Sequence, residues 1–146
     1  MKNLLCIFIS IILCFSFGMT AFAEEDDTAP SDTQSASQPR LMVESYTLSK
    51  PDLKPNESAM LEIKLKNHSL KKNINNIAIT LSDEANEIST IGVNSGYIDK
   101  IIPNSTYTYT ATIRATKTAS EGVHKLAVSL EYEDDDYAQY TSTSQI

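Results

Sequence analysis

The sequence predicts an all-β protein, a sandwich of about seven antiparallel strands in two sheets. Three observations lead there. From Leu41 onward apolar and polar side chains alternate with period two in segment after segment. Clusters of Pro, Asn, Ser and Gly interrupt the alternation at short intervals. Beyond residue 40 only SDEANEIS has the makings of a helical turn, and it is too short to stand alone or to cover a sheet.

In chain order, the first 23 residues read MKNLLCIFISIILCFSFGMTAFA. The amino terminus and Lys2 precede an apolar run from Leu4 to Phe17, and Ala21 and Ala23 then supply the small residues that a signal peptidase reads. The run is shorter than the roughly 20 apolar residues of a membrane span. Residues 1–23 are therefore read as a secretory signal peptide cleaved after Ala23. Both cysteines, Cys6 and Cys14, fall within it, each preceded by leucine rather than the small residue that acyl anchoring needs. The mature chain has no disulfide to staple it and must rely on its core.

Residues 24–40, EEDDTAPSDTQSASQPR, contain no apolar side chain larger than alanine and read as a disordered acidic linker. Residues 41–146 form the folded domain. In AMLEIKLKN, Leu61, Ile63 and Leu65 alternate with Glu62, Lys64 and Lys66, so one face is apolar and the other charged. NIAITLS turns Ile77, Ile79 and Leu81 inward. TYTYTATIRA places Tyr107, Tyr109, Ala111, Ile113 and Ala115 on one face and threonines on the other, and HKLAVSLEYE aligns Leu126, Val128, Leu130 and Tyr132. LMVESYTLS, GYIDKI and QYTSTSQI complete the set. KPDLKPNES, KNHSLKKN, PNS and SEG supply turn chemistry between them.

The opening PRLMVESYTLSKPDLKPNESAMLEIKLKNHSLKKNINNIAITLS runs through a first strand, a proline-bearing turn, a strand ending in LKN, and an NI-x-I-x-L strand over Asn76–Leu81. It resembles the start of bacterial Ig-like domains of the cell-adhesion-related type (CARDB-like, S-layer-associated) found in exported Gram-positive proteins. YIDKIIPNSTYTYTATIRATKTASEGVHKLAVSLEYED is similar to their second half, ending in a hairpin with an acidic tip. The resemblance spans nearly all of residues 39–146. It implies an immunoglobulin-like sandwich, no active site, and a role in cell adhesion, as a spacer, or in binding other envelope or extracellular proteins. Such domains stand in longer chains, whereas this sequence stops at Ile146 inside its last strand. The expectation is thus an N-terminal piece of a larger envelope protein, reaching the membrane only through an anchor beyond Ile146.

The chemistry of the domain fits a non-enzyme with no cofactor. The whole chain carries a net charge of −7, and loss of Lys2 with the signal makes the mature chain one unit more acidic, which disfavours nucleic acid. EYEDDDYAQY packs five acids and three tyrosines into ten positions. Glu133, Asp134, Asp135 and Asp136 are calcium candidates by ligand type, but the run lacks the glycine and spacing of a calcium loop, and a turn is the expected role. Tyr132, Tyr137 and Tyr140 are the candidates for the rival function, a carbohydrate-binding module that stacks sugars on exposed rings; Tyr132 already follows the inward register of its strand. His68 and His124 have no neighbour at metal-ligand spacing. Asn56, Asn67 and Asn104 begin N-x-[ST] sequons in turn segments. Threonine-rich strands and a final strand of Ser and Thr offer backbone edges that a partner strand can join. The product recovered from its own cells is expected to begin at Glu24; intact mass will show this, and a species beginning at Met1 would remove the signal assignment.

Overall fold

The computed structural model describes residues 38–146. The signal segment with Ala21 and Ala23, and the linker up to residue 37, lie outside them. Eight strands follow one another: β1 (Leu41–Leu48), β2 (Ser58–Asn67), β3 (Ile74–Ser82), β4 (Ile88–Thr90), β5 (Ser95–Ile101), β6 (Thr106–Ala115), β7 (Ala127–Glu133) and β8 (Gln139–Gln145). One sheet runs β1-β2-β6-β4 and the other β5-β3-β7-β8, with every pair antiparallel. The fold is an immunoglobulin-like sandwich, and no helix long and apolar enough to cross a membrane occurs among the described residues.

The alternation explains the core. Leu61, Ile63 and Leu65 of β2 meet Ile77, Ile79 and Leu81 of β3 and Val128 and Leu130 of β7, all essentially without solvent contact. Sequence and structure differ in four places. SDEANEIS forms no helical turn: Asp83 accepts amide hydrogens from Ala85, Glu87 and Ile88, turning the chain into the short β4 beside the end of β6. The strand read from His124 begins instead at Ala127. In β1 the register slips between Val43 and Ser45, so Glu44 is an extra residue and Tyr46 and Leu48 stand opposite inward-facing Ile63 and Leu61. Along β6, Ile113 and Ala115 are buried but Tyr107 stays 42% exposed. Tyr109 lies across the backbone of Gly96, where an added Cβ would sit 2.5 Å from the ring.

Polar groups hold the crossing from β2 to β3. Asn67, fully buried, donates from Nδ2 to the carbonyls of Lys72 and Ile101, each at 3.0 Å, and its Oδ1 accepts the Ser69 amide at 2.9 Å. Ser69, also buried, accepts the Lys72 amide on its Oγ, and its carbonyl accepts the Asn104 amide. This sequon asparagine is a structural strut with no room for a glycan. Replacing Asn67 by Ala strands two buried backbone groups and one partly buried one; the expected cost is at least about 2 kcal/mol in chemical denaturation, since each orphaned buried group costs roughly 1–3 kcal/mol.

Candidate functional site

The acidic hairpin is a turn clasped to the β2–β3 crossing. Asp134 is 3% exposed. Its Oδ1 accepts the amides of Asp136 (2.9 Å) and Ala138 (3.1 Å), a carboxylate capping the turn it begins. Its Oδ2 accepts the Lys72 ammonium at 3.2 Å and the Tyr140 hydroxyl at 3.3 Å. Lys72 also donates to Asp136. Asp135 reaches the other way, accepting the Asn73 amide, the Asn73 side chain and Asn75 Nδ2. Glu133 accepts Asn76 Nδ2 at 2.9 Å. Asp134 and Asp136 thus share Lys72, while Asp135 and Glu133 turn to Asn73, Asn75 and Asn76, so the four calcium candidates do not converge on one point. Among the described residues no group of three or more His, Cys, Asp and Glu is placed to hold a metal ion.

These contacts set the electrostatics. Burial pushes the Asp134 carboxyl up, but the amides of Ala138 and Asp136 and the Lys72 ammonium outweigh it and hold it below its ordinary 3.8. Asn73, by side chain and backbone, lowers Asp135 likewise. Lys72 is pushed up, first by Asp136 and then by Asp134. Burial raises the Tyr140 hydroxyl, with Asp134 adding to the effect.

The three tyrosines divide. Tyr132 is 6% exposed; its hydroxyl accepts the Leu41 amide and donates to the Pro39 carbonyl, each at 3.4 Å, tying the start of β1 to β7. Tyr140 stacks on it, ring centres 5.7 Å apart and planes 18° off parallel. Tyr137, at 81%, stands alone at the tip with φ 61°. The three rings do not form one exposed platform: stacking a pyranose needs rings facing solvent, and Tyr132 spends its face in the core and its hydroxyl on backbone.

At the opposite end, Glu87 accepts the Ser120 amide (3.0 Å) and hydroxyl (3.2 Å), while His124 Nδ1 lies 3.0 Å from Glu87 and Nε2 lies 2.9 Å from the Ser120 carbonyl. The Ser120 hydroxyl therefore bonds the carboxylate and not the imidazole, so this trio lacks the hydroxyl-to-base contact of a nucleophilic serine. It ties the β6–β7 loop to the β3–β4 turn. Beside it a cleft of roughly 540 Å³ opens between the sheets, its apolar lining including Tyr46, Leu48, Leu53, Leu61, Ile113 and Leu126. The sequence reading missed Lys72, Asn73 and Glu87. Polarity marks their segments as loops, but nothing local shows that Lys72 meets an acid 62 positions away.

No family model matches the chain, and no curated protein matches it. Among solved structures, it is similar to the GAE domain of GGA2p from Saccharomyces cerevisiae at 15% identity, covering 74% of this chain and 95% of that one with a TM-score of 0.49. Spo0M, the sporulation control protein from Bacillus subtilis, matches at 14% identity over 74% of this chain and 48% of its own, TM-score 0.38. The ASH/PapD-like domain of human CEP192 matches at 14%, over 80% and 87%, TM-score 0.36. Likeness at this level says nothing of what the chain binds.

A carboxyl whose folded pKa is depressed contributes stability that is present above its unfolded pKa and lost as pH falls through the folded one. The thermal midpoint is therefore expected to hold from neutral pH to about pH 5 and to drop below about pH 4. Asp134→Asn should lower it at neutral pH, with the gap to the parent narrowing in acid; a gap independent of pH would remove the charge on Asp134 as the cause.

Proposed function

We propose that this chain is an exported, non-enzymatic module of the cell surface that acts in adhesion, as a spacer, or in binding other envelope and extracellular proteins. One observation carries the reading. Most side chains suited to a metal or sugar site are already engaged by other parts of the fold: the hairpin acids cap a turn and clasp Lys72, Asn73, Asn75 and Asn76, and Tyr132 and Tyr140 pack together beneath the hairpin. What the domain offers outward is the faces and edges of two sheets, the surface that strand-addition partners use. The signal pattern of residues 1–23 supports export.

The test is saturable binding of the fluorescently labelled mature protein to cells of its own source. Pretreating the cells with protease is expected to abolish binding, and periodate, which destroys vicinal diols of sugars, to leave it. Loss with periodate alone, together with loss in Tyr137→Ala, would overturn the reading in favour of a carbohydrate-binding module.

A further inference from the structure

The outer edges of the two sheets are not alike. Natural sheets guard exposed edges with bulges, charges, prolines or extreme shortness, because unpaired N–H and C=O groups recruit other strands. β1 has its bulge at Glu44, β4 has only three residues, and β5 carries Asp99 and Lys100. β8 has none of these devices. From Gln139 to Gln145 it reads QYTSTSQ, without charge or proline, and it pairs with β7 without a register shift. In a chain this acidic, an uncharged edge of seven residues is the exception.

The pairing shows which groups are open. Leu126 and Ile146 exchange both backbone hydrogen bonds, at 2.9 and 3.0 Å. In an antiparallel ladder bonded pairs alternate, so Ser144, Ser142 and Tyr140 spend their backbone groups on Val128, Leu130 and Tyr132. Thr141, Thr143 and Gln145 consequently point both N–H and C=O away from β7, and no described residue bonds them. Their side chains lie on the exposed face.

We propose that β8 pairs with β8 of a second copy of this chain, antiparallel about a twofold axis at Thr143. Thr143 then faces Thr143 of the partner, and Thr141 faces the partner's Gln145. Open groups meet open groups, and the two four-stranded sheets join into one of eight strands. Self-pairing of this kind is isologous and closed, giving a dimer and not a fibre. Charge argues for a second copy. Across the joint one row runs Ser129, Thr143, Thr143, Ser129, and another runs Glu131, Thr141, Gln145, Ala127, so the two Glu131 carboxylates fall in different rows and no acid abuts an acid despite the chain's net charge. An edge joint alone is smaller than a standard interface, so the dimer is a weak one, in the micromolar range or above.

This pairing deepens the interaction-module reading and rests on it for its biological sense. Its test is sedimentation equilibrium of the mature protein from about 1 μM to about 1 mM, a span that brackets weak association. A reversible monomer–dimer equilibrium is expected. Thr143→Pro removes an N–H that the β7–β8 ladder does not use, so far-UV circular dichroism and melting should persist while the dimer is lost. Thr143→Lys sets two cations face to face and should weaken dimerisation at least tenfold at low salt, with partial recovery at high salt. A chain monomeric throughout, or a dimer indifferent to both variants, would overturn the proposal. Monomers that still bind cells in a protease-sensitive way would sink this pairing alone; dimers that bind no cells would sink the cell-surface reading alone.

Discussion

A two-sheet sandwich must carry its chain from one sheet to the other at places where backbone polar groups turn inward with no strand to pair them. Here the β2–β3 crossing is held by the buried amide of Asn67, which answers two carbonyls and one N–H at once. Residues 38–146 contain no cysteine, so no covalent link can take that part. With Asn67 in place, Ser69 sets the loop, the loop presents Lys72 and Asn73, and these receive Asp134, Asp135 and Asp136 from the β7–β8 hairpin. The acidic hairpin is thus the last layer of a polar knot that begins in the core.

That order explains why so conspicuous a run of acids does not gather on one point. Asp134 sits under the hairpin with all its contacts internal, and Asp135 and Asp136 are drawn toward opposite donors. The same logic governs the aromatic pair. Tyr132 closes the junction between β1 and β7 with its hydroxyl, and Tyr140 covers its ring while bonding Asp134, so the rings connect the hydrophobic core to the polar knot above it.

Strand period is a local property of the chain, which is why the inward residues of β2, β3 and β7 were legible in advance. What the pattern could not show came from elsewhere in the fold. β4 has three residues and exists because β6 offers it an edge. The bulge at Glu44 restores the inward phase of Tyr46 and Leu48, yet strict alternation gives no sign of it. Tyr107 keeps the inward phase of β6 yet stays exposed, while Tyr109 lies across Gly96, a close approach that the strand pattern does not single out. The turn at Asp134 was readable from composition; its clasp to Lys72 was not, because the two meet only through tertiary folding.

The places where the chain enters and leaves the described domain have a mechanical consequence. Leu41 enters beside Asn67 at the end that holds the polar knot, and β1 runs away from that end; β8 runs the same way and leaves beside Leu126 at the other. Tension applied through residues 38 and 146 therefore pulls β1 and β8 along their own lengths, in opposite senses. Each ladder is loaded in shear, with its hydrogen bonds strained together, instead of being unzipped one bond at a time. The Tyr132 hydroxyl, gripping Pro39 and Leu41, lies where the pull first reaches the sheet.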